Sequence, residues 1–122
     1  MGETIRNLAA AFVGESQARN KYTFYAAAAR AEGFEGIAAI FSMTADNECE
    51  HAHWLMRMIR QLRMREPDGP AEISVGATVS GVLGTTAENL RAAIAGETYE
   101  FSKMYPEFAA AAEQEGLADV AR

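Results

Sequence analysis

Acidic residues occupy the centre of three helical stripes where a folded chain of ordinary chemistry would carry leucine or alanine. The clearest stripe is Ile37, Phe41, Thr44, Glu48, His51, Leu55, Met58 and Leu62, whose steps alternate between four and three. That spacing sets all of these side chains on one face of a helix. Glu48 and His51 hold the two central places. A carboxylate cannot be buried there alone: it must be protonated, paired or bound to a metal.

The same pattern recurs on either side. From about Thr4 to Arg30 the apolar positions are Ile5, Leu8, Phe12, Tyr22, Ala26 and Ala29, and the stripe passes through Glu15 and Arg19. A third stripe runs Leu90, Ala93, Glu97, Glu100, Met104, Phe108 and Ala111. Arg19 is the one base on these stripes, too few to neutralise Glu15, Glu48, Glu97 and Glu100. Asp46, Glu50, Arg57, Arg60 and Arg63 fall off the second stripe and are expected in solvent.

Everything local favours helix. Alanine clusters at residues 26–29 and 109–112, only three prolines, and the lack of any alternating β-branched run predict an all-α chain forming one domain over residues 1–122. Gly33 suits the end of a first helix. With Gly36 close behind, the second helix, from about Gly36 to Arg65, becomes an antiparallel neighbour. Residues 66–85 open with Pro67-Asp68-Gly69-Pro70 and carry Gly76, Gly81 and Gly84. So long a connection predicts a crossover between two helix hairpins of a four-helix bundle. Within it, Val75 to Leu83 is apolar enough to pack along the bundle or a partner subunit. Thr85 to Glu88 reads as a capping box that starts a third helix.

The two halves repeat. Gly14-Glu15-Ser16 returns 82 residues later as Gly96-Glu97-Thr98, and Ala29 to Gly33 returns 83 residues later as Ala112 to Gly116. The second copy therefore holds one extra residue. A π-bulge near Lys103 to Pro106 would absorb it, although Pro106 could instead produce a simple kink. By the same offset a second Glu-x-x-His falls nine to twelve residues past Arg122. Leu117 to Ala121 reads as the opening of a fourth helix that the 122 residues cut short.

Several functions are disfavoured. A net charge of −6 without basic runs argues against nucleic acid. The single cysteine, Cys49, allows neither an internal disulfide nor a four-cysteine metal site. The N-terminus lacks a signal-peptide pattern and no apolar run reaches membrane length, so a cytoplasmic location is expected. What remains is metal chemistry. Dimetal helical bundles place one Glu on each of two helices and Glu-x-x-His on each of the other two. Here the first helix offers Glu15, the second Glu48 and His51, and the third Glu97, with Glu100 one acid beyond that plan. Mixed oxygen and nitrogen donors suit iron or manganese; zinc would bind but could not perform redox chemistry.

Three segments resemble the rubrerythrin family: Gly14-Glu15-Ser16-Gln17-Ala18-Arg19-Asn20-x-Tyr22, Glu48-x-Glu50-His51-Ala52, and Gly96-Glu97-x-x-Glu100-x-x-x-Met104-Tyr105-Pro106. The resemblance implies a ferritin-like bundle with a di-iron centre that reduces hydrogen peroxide to water in oxidative-stress defence. It implies that Glu15 and Glu97 each serve chiefly one iron, that Glu48 bridges, and that His51 and Glu100 are alternative ligands used as oxidation state changes. Tyr22 and Tyr105 match tyrosines that orient ligand carboxylates. The bridging glutamate and last histidine of a fourth helix are absent from these residues, as is the family's four-cysteine rubredoxin-like domain. An external electron donor such as a rubredoxin-like protein is therefore implied, together with a homodimer that could exchange hairpins. The rival readings are iron oxidation and storage at the same centre, and a helical interaction module without a site. His53 and Cys49 lie off the stripes, and Trp54 and the methionines read as packing or subunit contacts.

Overall fold

The computed structural model describes residues 2–121, and among them there is no strand. Helix α1 spans Gly2–Ala31, α2 Glu35–Arg65 and α3 Thr86–Tyr99. A π-helical turn, Glu100–Met104, joins α3 to α4, Tyr105–Gln114, and a short α5 covers Ala118–Ala121. Helix α1 packs extensively against α2 and more sparingly against α3 and α4.

The expected hairpin forms from residues that stop a helix sharply. Gly33 takes a left-handed φ of 85°, and Phe34 N–H reaches back to Ala29 C=O at 2.8 Å while Gly33 N–H bonds Arg30 C=O. This pairing satisfies the last carbonyls of α1. The repeat does the same: Gly116 has φ 76°, and Leu117 and Gly116 bond Ala112 and Glu113 in the same way.

Residues 66–85 form no helix or strand, as a crossover should. The segment lies along α1, where Lys21 Nζ donates to Ser80 C=O at 2.6 Å and the Tyr25 hydroxyl donates to Val82 C=O at 2.7 Å. Val75 reaches a core cluster, whereas Val79 and Leu83 stay exposed. Thr85 and Glu88 form the capping box. Just inside it the fully buried Asn89 side chain accepts from Gly84 N–H and donates to Gly84 C=O, fastening the crossover to α3.

The extra residue of the second copy is absorbed by a π-turn at Glu100–Met104, which overlaps the expected stretch Lys103 to Pro106. Tyr105 N–H bonds Glu100 C=O, one residue further back than an α-helix allows. Pro106 follows at once. Its ring would press on the carbonyl four residues before it and its nitrogen donates nothing, so the widened turn sits where the ladder is already weakened.

Two apolar clusters lie at either end of the bundle. Leu8, Ala11, Leu55, Ile59, Leu62, Ala112 and Leu117 form one; Tyr22, Tyr25, Ala26, Phe41 and Ala45 form the other. Early α1 residues meet late α2 residues, which makes the pair antiparallel. Between the clusters sits the layer of acids. Some stripe positions are not covered: Arg19 and Glu97 are exposed, His51 is exposed, and Glu100 is half-buried. Helices α3 and α4 meet α1 on one side only, and the side facing away from α1 is open.

The two halves also cap one another. Glu115, just past α4, accepts from Thr4 N–H at 2.8 Å and from the Thr4 hydroxyl, filling the N-terminus of α1. Glu32, its counterpart in the first half, accepts from Thr86 N–H at 3.0 Å and from the Thr86 hydroxyl at the start of α3. A carboxylate is favoured there by both hydrogen bonding and the helix dipole. Hydrogen bonding from the Thr4 hydroxyl, above all, holds the Glu115 carboxyl down to about 2. Since the folded value lies below the ordinary 4.5, this stabilisation is complete above 4.5 and is lost as pH falls toward 2. Glu115→Gln is expected to lower the melting temperature at neutral pH. In a melting series from pH 6 to pH 2 it should also flatten the acid limb relative to the native chain.

Candidate metal centre

Glu15 and Glu48 face each other from α1 and α2 in the middle of the bundle, 3% and 5% exposed. One helical turn on from Glu48, His51 turns its Nδ1 toward both, 3.6 Å from Glu48 Oε2 and 3.7 Å from Glu15 Oε2. Ligand atoms of these three residues all lie within 4.8 Å of one another. The decisive feature is what the carboxylates lack. Glu15 Oε2 and Glu48 Oε2 are buried and have no hydrogen-bond partner. Buried polar atoms in folded proteins are nearly always satisfied, and an orphaned carboxylate oxygen is among the costliest exceptions. A cation between them would satisfy both.

Tyrosines settle which oxygen is left over. The Tyr105 hydroxyl, beyond the π-turn, donates to Glu15 Oε1 at 2.5 Å and leaves Oε2 free. The Tyr22 hydroxyl donates to Glu97 Oε1 at 2.7 Å. These bonds are reciprocal across the repeat: each half's tyrosine holds the other half's acid. Burial first, and then donation to Glu97, pushes the Tyr22 phenol well above its ordinary value. Burial and donation to Glu15 do the same for Tyr105. Both remain protonated donors at any physiological pH.

A cavity of about 320 Å³ opens beside the three residues, lined also by Trp54, Leu55, Met58, Glu97, Glu100 and Tyr105. Glu97 and Glu100 thus face the same space without joining the close group; Glu97 is held back by Tyr22. Burial raises the Glu15 carboxyl, against the lowering effects of Tyr105 and His51. Glu100 is pushed up to about 7 by burial and then by the neighbouring Glu15 and Glu97. So many carboxyl groups in one partly buried space repel each other, and positive charge placed among them would relieve that.

Sequence reasoning did not assign Trp54 to this cavity, nor did it find the Glu32 and Glu115 caps. The caps carried a signal. Thr4 and Thr86 are 82 apart and Glu32 and Glu115 are 83 apart, the two offsets of the repeat.

Fold and site together define a ferritin-like helical bundle with a carboxylate–histidine group able to hold metal. A family model described as Rubrerythrin matches residues 6–122. A Methanocaldococcus jannaschii protein provisionally named a rubrerythrin is 52% identical over 99% of this chain and 60% of its own. The rubrerythrin of Porphyromonas gingivalis is 44% identical over 98% of this chain and 56% of its own. A solved structure of nigerythrin in its fully reduced, all-ferrous state superimposes with TM-score 0.74 at 34% identity, covering 97% of this chain and 56% of that one. The chain belongs to the rubrerythrin family. It spans little more than half the length of the relatives it matches.

Two outcomes test the site. Glu48→Met replaces an orphaned carboxylate by an apolar side chain of similar size, so the metal-free protein is expected to gain about 1 kcal/mol or more in urea unfolding. Metal-dependent stabilisation should vanish in the same variant. Tyr105→Phe leaves the buried Glu15 carboxylate without its hydroxyl donor and is expected to cost about 1–3 kcal/mol in the same measurement.

Proposed function

We propose that this chain carries ligands of a non-haem di-iron centre whose reaction is the reduction of hydrogen peroxide to water. The observation that carries the reading is the pair of buried, partnerless oxygens of Glu15 and Glu48 beside the His51 imidazole. Membership of the rubrerythrin family and likeness to an all-ferrous nigerythrin support iron as the metal. Manganese or zinc would fit the same donors.

Glu15 and Glu97 would each serve chiefly one metal, Glu48 would be shared between the two, and His51 and Glu100 would be alternative ligands. When bound, the irons would supply the two electrons that, together with two protons, reduce peroxide to two waters. The protein's own contribution is positional. Tyr105 takes one oxygen of Glu15 and leaves the other as a metal donor. Tyr22 fixes Glu97 in the same manner. Leu55 and Met58 supply an apolar wall that lowers the local dielectric. These 122 residues hold one cysteine, so an iron–sulfur electron donor lies outside them. An acceptable donor is a rubredoxin-like protein of the cytoplasm.

Anaerobic titration with ferrous ion tests the reading first. Stoichiometric binding by a complete chain is expected, lost in Glu48→Ala; no stoichiometric binding by a complete chain would leave only a helical interaction module. Stopped-flow mixing of the iron-loaded, reduced protein should then show fast oxidation by peroxide and slow oxidation by dioxygen. Equal rates, with iron accumulating far beyond two per chain, would make the protein an iron-oxidising store instead.

A further inference from the structure

The metal centre leaves a second and larger cavity unused. It holds about 410 Å³ and lies between α1, the crossover and the segment from α3 to α4. Its walls are chiefly apolar, with Ala10, Val13 and Ala18 from α1 and Ala92, Met104 and Phe108 from the second half. Crossover residues Gly76, Ala77, Thr78 and Ser80 close another side. The bonds of Lys21 to Ser80 C=O and of the Tyr25 hydroxyl to Val82 C=O hold that strap against α1.

Two glycines help to keep the space open. Gly14 in α1 and Gly96 in α3 stand 82 residues apart, at equivalent places in the repeat, and both line the cavity. Helix interiors disfavour glycine, and no close packing explains it here: a methyl group at either position would meet no packed neighbour within 4 Å. What the missing side chains leave is room. The cavity also adjoins the acid layer. Tyr22, whose hydroxyl holds Glu97, lines it. Among the described residues, Glu100 alone lines both this cavity and the metal cavity, so it stands between the two spaces.

We propose that this cavity holds the organic part of an alkyl or aryl hydroperoxide whose O–OH group is directed past Glu100 to the metal centre, an inference that rests on the di-iron reading above. Hydrogen peroxide has only polar atoms and gains nothing from walls of alanine, valine, methionine and phenylalanine. A hydroperoxide with an apolar body gains from them, and the few polar groups at the edge orient it, as in other small-molecule sites. The Glu100 carboxylate is an acceptor for the hydroperoxide O–H. Two electrons from the centre and two protons break the O–O bond and yield an alcohol and water; the external iron–sulfur donor then restores the electrons.

Cumyl alcohol, the unreactive product of cumene hydroperoxide, tests the site on the metal-free chain by nuclear magnetic resonance. Saturable shifts of the Ala18, Ala92 and Met104 amides are expected at about millimolar alcohol. Gly96→Leu and Gly14→Leu fill the cavity and improve the helices, so each should abolish the shifts with a melting temperature at or above native. In the iron-loaded complete chain, the ratio of kcat/KM for cumene hydroperoxide to that for hydrogen peroxide should fall by about tenfold or more in either variant. Shifts that never saturate, shifts that survive both variants, or an unchanged ratio would overturn the proposal. Failure of the di-iron reading looks different: it appears as absent ferrous binding, whatever the alcohol does.

Discussion

Two carboxylate oxygens, Glu15 Oε2 and Glu48 Oε2, are buried side by side with nothing to bond. A bundle of this size could avoid that expense by placing apolar residues at both positions. Instead the clusters around Leu8 and Leu62 on one side, and Tyr22 and Phe41 on the other, enclose the acids in a layer at mid-length. The apolar ends stabilise helices whose centre is unfavourable without a cation. Stability and function are therefore divided along the helix axis.

Reciprocity between the halves makes that arrangement possible. Tyr22 of the first half holds Glu97 of the second, and Tyr105 of the second holds Glu15 of the first. Glu32 caps α3 while Glu115 caps α1. Helices α3 and α4 share only a modest surface with α1, so these four polar links carry much of the register between the halves. The π-turn at Glu100–Met104 belongs to the same account. By adding one residue, it rotates Tyr105 and all that follows relative to Glu97, so that both an acid and a tyrosine of this segment address the neighbouring helix.

Much of this was legible in residue order because helices write their faces into sequence at a fixed period. The stripes located Glu15 and Glu48 in the interior, the glycines located the turn, and Thr85 with Glu88 located the start of α3. Periodicity failed where burial depends on a neighbour rather than on a face. Arg19, His51 and Glu97 share stripes with buried residues and are nonetheless exposed, because no described element covers their side of the layer. The π-turn begins at Glu100 and overlaps the expected stretch Lys103 to Pro106. Counting residues between two anchors reveals an insertion without saying which turn widens.

By itself the sequence determined the helices, their inward faces, the crossover, the duplicated half and the chemical identity of the acids and imidazole that gather at mid-length. These follow from local rules: propensity, capping and the 3.6-residue turn. Only the tertiary structure decided which oxygen of Glu15 is engaged by Tyr105 and which is left without a partner, that Glu97 is drawn toward Tyr22, and that Glu32 and Glu115 cap helices of the opposite half. Those contacts join residues 54 to 111 apart in the chain. Whether they meet depends on how two helix hairpins lie against each other, which no period along a single helix encodes.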